Sequence, residues 1–434
     1  MRRGRLRKNT LINSNKYMKL KIFIFWIFPF LLFPACSNTN LHRNPAVKVG
    51  AEILLSDKIE IIKNKNIGII TNHSAILANG THLIDSLVKI DGINIKAIFS
   101  PEHGFRGDVP DGVVIDKSFD RKTGIPVISL YGKIRKPTPE SLADIDLLIF
   151  DIQDIGARFY TYISTLFLSM QSAAENNVDF IILDRPNPIG GIKTDGPIID
   201  DSLKSFVGIA PLPIMHGMTI AEIGLFFNRP EILGKSKTVN LEIIKMENWN
   251  RRFYFDECGL PWVKPSPNMV SVEAEIVYPG MCLLEATNVS EGRGTFAPFL
   301  TFGAPFIKPN ELKAELEKYN IIGLHLSDTV FTPVAIPGMS NYPKHKGVKC
   351  YGLSLNVTNR ETFQPVKFGV ILLSVLQKLY PEQFKINEKR LNKLFGKPYL
   401  AKMLKTGVSP KEIISLWKEE LETFKKERQK FLLY

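Results

Sequence analysis

Five short apolar runs punctuate the first half of the chain, and most of them end in a polar cluster. They are Ile67–Thr71, Ile95–Phe99, Pro126–Leu130, Asp146–Phe150 and Asp179–Leu183. Unbroken apolar runs of this length suit parallel strands covered on both faces. Amphipathic stretches lie between them. Leu83, Ile84, Leu87 and Val88 share one helical face, and Tyr162 to Asn177 is long enough for a full helix. Thr138 before Pro139 reads as an N-cap with proline at the first helical position. Thr219-Ile220-Ala221-Glu222 reads as a capping box for a further helix. Strands alternating with helices predict an α/β fold with a doubly wound parallel sheet.

Beyond Pro230 the texture changes. Pro261, Pro265, Pro267, Pro279, Pro298 and Pro305 interrupt any long helix, aromatic residues become frequent, and the strands look shorter. The stretch Pro410–Phe431 returns to a charged amphipathic helix. The pattern therefore predicts a first domain over residues 48–230 and a second, smaller α+β domain over 231–434.

The N-terminus changes how the charge is read. Arg2, Arg3, Arg5, Arg7, Lys8, Lys16, Lys19 and Lys21 precede an apolar stretch, Ile22 to Phe33, which runs into Pro34-Ala35-Cys36. A basic end, a short apolar core and a small residue before a cysteine describe a lipoprotein signal over residues 1–35. Cys36 would be the lipidated first residue, and 36–47 a polar tether. The apolar run is shorter than the ~20 residues that a spanning helix needs. These eight basic residues supply most of the formal charge of +13, which leaves about +5 for the rest, too little to argue for nucleic acid. The expected location is the cell envelope, on the outer membrane facing the periplasm. Cys258, Cys282 and Cys350 form no CxxC pair, which predicts buried free thiols rather than a disulfide framework or a zinc site.

The polar ends of the runs carry the candidate chemistry, because ligands of open parallel sheets bind beyond the carboxyl ends of the strands. The first run leads into Asn72-His73-Ser74, and the second into Glu102-His103-Gly104-Phe105-Arg106. The fourth leads into Asp151-Ile152-Gln153-Asp154 and on to Arg158, and the fifth into Asp184-Arg185-Pro186-Asn187. Paired carboxyl groups are the equipment of glycoside hydrolysis, one protonated as acid and the other acting as base or nucleophile. Glu102, on a glycine-flanked loop, is the candidate acid, and Asp151 and Asp154 are candidates for its partner. Arg106, Arg158 and Arg185 suit an anionic substituent, or equally ion pairs with neighbouring aspartates. Asp184 suits the site or a loop-bracing role, and His103 suits catalysis or a structural place in its loop. Gly292–Ala297 matches a dinucleotide fingerprint by letter, yet Pro298 follows where a helix should run. The chain has no P-loop, HExxH or GxSxG; His73, His103 and His216 with the carboxylates could make a metal site, but their spacing is not diagnostic. No cofactor is expected.

Longer motifs give a family resemblance. SPEHGFRG (Ser100–Gly107), FDIQDIGARFYTY (Phe150–Tyr162), LDRPNPIGG (Leu183–Gly191), LPIMHGMTIAEIG (Leu212–Gly224), PSPNM (Pro265–Met269) and YPGMCLLEATNVSEGRGT (Tyr278–Thr295) are similar to the exo-β-N-acetylmuramidases of the NamZ type. The resemblance spans nearly all of the chain after the signal. It implies a Rossmann-like first domain, a cleft closed by the second, and release of terminal N-acetylmuramic acid from peptidoglycan fragments. It also implies Glu102 as the catalytic glutamate and brings in Glu285, Asn288, Glu291 and Arg293 from the second domain. The competing expectation is a lipoprotein that captures muropeptides in the same cleft without cutting them. A metal-dependent hydrolase would need His73, His103 and Asp151 to converge.

Overall fold

Strands form where the apolar runs predict them, and the alternation of their side chains shows why. The computed structural model describes residues 46–101, 105–106, 117–234 and 237–434. In the first sheet, β1 is Asn66–Thr71, β2 Asn94–Ser100, β3 Lys117–Phe119, β4 Pro126–Ser129, β5 Leu147–Asp151, β6 Asp179–Leu183 and β7 Leu241–Ile244. Their order is β3-β4-β2-β1-β5-β6-β7, parallel except for β3.

Successive side chains of a strand point to opposite faces. Ile67 and Ile69, Leu147 and Ile149, and Ile181 and Leu183 share one core with Ile53 and Leu54 of α1 (Gly50–Asp57) and Leu83, Ile84 and Leu87 of α2 (Leu83–Leu87). Ile70, Leu148, Phe150, Phe180 and Ile182 face the other core. There they meet the outer helices α3 (Pro139–Leu142), α4 (Tyr162–Asn176) and α5 (Ile220–Phe227). Both faces are covered, so the central strands can be apolar throughout. The predicted caps form: Thr138 Oγ1 accepts from Ser141 N, and Thr219 with Glu222 closes a full capping box.

Two strands were not anticipated. β3 is a three-residue antiparallel edge, and β7 reads Leu-Glu-Ile-Ile with Glu242 exposed, too short and mixed to stand out. β7 lies beyond residue 230, so the sheet continues past the expected start of the second domain.

The later residues form the expected α+β arrangement: an antiparallel sheet of order β8-β10-β9, with β8 Thr301–Ala304, β9 Leu324–Phe331 and β10 Cys350–Val357. Between α5 and β8 come α6 (Pro230–Leu233) and α7 (Val272–Met281), followed later by α8 (Pro309–Glu317) and α9 (Pro365–Leu379). Pro279 does not interrupt α7 but sits inside it, removing the amide that would reach the Glu275 carbonyl. The next residue explains why the distortion is tolerated. A Cβ on Gly280 would lie 1.9 Å from the Pro365 carbonyl oxygen, so α7 and α9 touch backbone to backbone there. The expected helix over Pro410–Phe431 breaks near Trp417 into Pro410–Ser415 and Lys418–Arg428, and Trp417 is buried. Residues 45–434 make one compact unit, and Cys258, Cys282 and Cys350 are free and buried.

Candidate functional site

The sheet order reverses between β1 and β5: from β1 the chain proceeds to β2 on one side, and from β5 to β6 on the other. That is the topological switch point, where a crevice opens beyond the carboxyl ends. Thr71 and Asp151 are register partners at this edge, so Asn72 and the Ile152-Gln153-Asp154 segment emerge side by side. Ser74 ties them together: its hydroxyl donates to Asn72 Oδ1 at 2.5 Å and accepts from Gln153 N at 3.0 Å.

Most charged candidates are spent on the fold. Asp151 is fully buried and clamped by Arg185, with Nε–Oδ1 2.5 Å and Nη2–Oδ2 3.0 Å, while Arg185 Nη1 donates to Ile76 O at 3.1 Å. Both oxygens of Asp151 are thus engaged by Arg185, whose guanidinium also binds the backbone. Arg158 is buried too, but has no carboxylate against it. It donates to the carbonyls of Pro197, Leu212 and Leu394 at 2.7, 2.9 and 2.7 Å, which ties the first domain to the second. Burial lowers its pKa to about 9, partly offset by the charge of Glu420.

Asp184 braces its loop. Its oxygens accept from Arg185 N, Ala221 N, Thr219 Oγ1 and Tyr434 Oη at 2.8–3.0 Å. Desolvation, with the charge of Glu222, raises it to about 7. Asn187 closes a turn, donating to Met218 O and accepting from Ile189 N. That turn needs Gly156, whose φ is +81° and where a Cβ would lie 2.4 Å from Asn187 Oδ1. Arg106 grips Asp85 and Asp120, two to a side, at 2.9–3.3 Å. Arg106 and Arg185 thus form the ion pairs with aspartates that the sequence offered as the alternative, whereas Arg158 is held by backbone carbonyls.

Glu102 and His103 lie outside the described residues, as does Cys36. The described residues nearest to Glu102 and His103 are firmly held. Ser100 ends β2, Phe105 packs edge-on against His82 at 5.0 Å, and Arg106 is pinned as above. His73 places Nε2 2.8 Å from Lys264 O. Of the trio that a metal hydrolase would need, Asp151 is held by Arg185 and His73 contacts a backbone carbonyl, while His103 lies outside the described residues.

What remains is a buried polar group at the switch point whose atoms are not satisfied. Asp154 Oδ2 accepts from Gly156 N at 2.8 Å and lies 3.6 Å from His216 Nε2, but Oδ1 has no partner among the described residues. Met218 N donates to His216 Nδ1 at 3.2 Å, and His216 Nε2 has no hydrogen-bond partner among the described residues. Asn72 Nδ2 is likewise unpartnered. A buried polar atom without a partner costs about 1–3 kcal/mol, so such a concentration marks a site rather than a scaffold.

Two members were not read from the sequence. Glu275 of α7 is fully buried with neither oxygen bonded among the described residues, and Tyr160 is buried too, within reach of Ser266 and the charges of Glu275 and Asp154. Desolvation and then the Asp154 charge push Glu275 well above the usual carboxylate range. The available signal was a glutamate amid the apolar residues of Val272–Met281.

From the second domain, Arg293 sits between Glu285 (3.1 Å) and Glu291 (3.4 Å), Arg390 also holds Glu285, and Lys344 holds Glu291. Those two carboxylates keep the guanidinium charged. Asn288 instead docks the Gln383–Lys385 segment, donating to Gln383 O and accepting from Lys385 N. A chain of ring contacts, Arg293 to Phe299 to Tyr278 to Tyr160, leads from this cluster back to the first domain.

Two family models cover the described protein almost end to end: the N-terminal model of exo-β-N-acetylmuramidase NamZ matches residues 67–273, and the C-terminal model matches 276–434. The chain belongs to the NamZ family. The peptidoglycan β-N-acetylmuramidase NamZ of Bacillus subtilis is 42% identical over 399 residues, 92% of this chain and 94% of that protein. Two crystal structures of DUF1343 family proteins from Bacteroides fragilis also match. One has a TM-score of 0.83 at 32% identity and the other 0.74 at 36%, each covering 90% of this chain and 99% of theirs. The N-terminal match ends at residue 273 and the C-terminal match begins at 276, so the division falls within the first turn of α7, and Glu275 lies in the short gap between them.

Proposed function

We propose that this protein is a glycosidase, an exo-β-N-acetylmuramidase that releases terminal N-acetylmuramic acid from the non-reducing end of peptidoglycan fragments. Glu102 is its catalytic carboxyl and Asp154 the second one. The observation that carries the reading is the match to both halves of the NamZ family, with 42% identity to a peptidoglycan β-N-acetylmuramidase over nearly the whole chain. The geometry supports the choice of Asp154 over Asp151. Asp151 has both oxygens on Arg185, whereas Asp154, beside His216, keeps one oxygen without a partner among the described residues. Hydrolysis by two carboxyl groups needs one that can accept charge or hold water in the transition state, and a carboxylate neutralised by a bidentate arginine cannot.

The test is hydrolysis of a chromogenic N-acetylmuramic acid glycoside. Glu102→Gln is expected to abolish sugar release with an unchanged circular dichroism spectrum, and Asp154→Asn to lower kcat by about 10²–10⁴-fold. Full activity in Glu102→Gln would overturn the assignment.

We also propose that Cys36 is lipidated and holds the enzyme on the envelope, at the outer membrane facing the periplasm. The basic residues, the apolar stretch Ile22–Phe33 and the small Ala35 before Cys36 support this. Cys36→Ser should move the protein from the membrane fraction to the soluble one. Unchanged partition would refute the anchor.

A further inference from the structure

The loop that carries His216 is held from outside its own domain. Up to Met215 it is pinned by backbone pairing: Met215 N donates to Asp195 O and Arg158 N to Ile214 O, each at 2.8 Å. The next two carbonyls, of His216 and Gly217, meet no backbone amide among the described residues. Guanidinium groups take them instead. Arg428, at the end of the helix Lys418–Arg428, donates Nη1 to Gly217 O at 2.9 Å and to His216 O and Gly191 O at 3.3 Å. Arg251 Nη2 donates to Gly217 O at 2.6 Å. Arg428 is buried. Burial and then the charge of Arg251 lower its pKa to about 10, against the pull of Glu222, so it stays charged at neutral pH.

Residue 217 is a glycine for the same reason. Its φ is +62°, and a Cβ there would lie 2.3 Å from Arg428 Nη1 and 2.5 Å from Lys193 O. The guanidinium fills the space that a side chain next to His216 would need. The same segment also grips the far end of the loop. Leu433 N donates to Glu222 Oε1 at 2.8 Å, and Glu222 Oε2 accepts from Thr219 N at 3.0 Å. Tyr434 Oη and Thr219 Oγ1 both donate to Asp184 Oδ2 at 2.8 Å. Residues 428–434 therefore brace both ends of the stretch 216–222.

We propose that Arg428 is a positioning residue of the NamZ site: from the second domain it fixes the His216–Gly217 backbone, so that the imidazole stands beside Asp154. The inference rests on the reading of Asp154 and His216 as part of the active site. The imidazole is fully buried, and its Nε2 lies 3.6 Å from Asp154 Oδ2, just beyond hydrogen-bond length. A loop shift of about 0.5 Å thus decides whether the two groups bond, and the His216 carbonyl is one of the points where Arg428 holds that loop.

Arg428→Met and Arg428→Lys separate positioning from bracing, with Arg229→Met as the control. Arg229 holds the same helix through Glu427 and lies over the Phe431 ring, while its hydrogen bonds go to Glu427 and Phe226 O. At a temperature where circular dichroism shows every variant folded, kcat and KM are measured on the chromogenic N-acetylmuramic acid glycoside. Arg428→Met should lower kcat about 10–100-fold with KM within about twofold, because the loop bears on the reacting groups rather than on uniform binding. Arg428→Lys keeps a charged donor and should exceed Arg428→Met about threefold or more. Arg229→Met should stay near the wild type. Equal losses in Arg428→Met and Arg229→Met would reduce Arg428 to a brace of the fold and overturn the inference. A second arm needs no turnover. The chain has seven histidines, and with labelled histidine the His216 ring signal is identified in NMR spectra by its loss in His216→Gln. That signal should shift in Arg428→Met and stay in place in Arg229→Met. An unmoved signal in Arg428→Met overturns the inference whatever the hydrolysis rates. A signal that moves as expected in a protein whose wild type cuts no muramic acid glycoside would refute the reading of the site instead.

Discussion

Replacing Arg185 by methionine tests whether the buried pair at the end of β5 is scaffold or chemistry. The arginine side chain is 4% exposed and that of Asp151 is 0% exposed, with contacts of 2.5 and 3.0 Å. Methionine keeps the aliphatic volume but leaves the Asp151 charge buried without a counterion. Breaking such a pair from one side costs about 3–5 kcal/mol. The Ile76 carbonyl also loses its 3.1 Å donor, for about 1 kcal/mol more. Adding Asp151→Asn removes the stranded charge, so the double variant should recover about 2–3 kcal/mol, visible as coupling in a double-mutant cycle. Urea denaturation read by circular dichroism and fluorescence gives the four free energies. A loss below about 1 kcal/mol for Arg185→Met would refute the structural reading, as would a double variant less stable than either single one. Asp151→Asn with wild-type stability but no hydrolysis would return Asp151 to the catalytic pair.

The other expectations follow from groups that the fold has enclosed. Arg158→Met removes three charged hydrogen bonds to carbonyls of both domains and should cost about 3 kcal/mol, with KM for the glycoside unchanged. A raised KM at full stability would instead make Arg158 a substrate arginine. Asp184 is raised to about 7 from an ordinary value of 3.8, so its contribution is fully present below about pH 4 and is lost as the pH rises through 7. Relative to the wild type, Asp184→Asn should therefore lose this decline in thermal midpoint between pH 4 and 8. Parallel midpoint curves for the two proteins would show that Asp184 does not titrate in that window.

Much of this was legible before any fold was known. The apolar runs marked the five principal strands because a strand covered on both faces must be apolar at successive positions, and the two cores receive their alternate residues. Thr138 and Thr219 were legible because capping is local: a side-chain oxygen and an amide within three residues. The family motifs were legible because they are long. β7 was not, since an edge strand with one exposed glutamate has no pattern of its own and is held by its pairing with β6.

Within the site, the sequence alone determined which residue types gather at the strand ends: Asn72, Glu102, Asp151, Asp154, Asp184 and Arg185. It could not determine which of them neutralise one another. Asp151, the last residue of β5, and Asp154 are three positions apart. Only the tertiary structure puts Arg185 on the first and leaves the second beside His216. The physical reason is that a carboxylate's role is set by its nearest charges, donors and exposure to water. Those neighbours come from β6 and from the segment before α5, distant along the chain from Asp154.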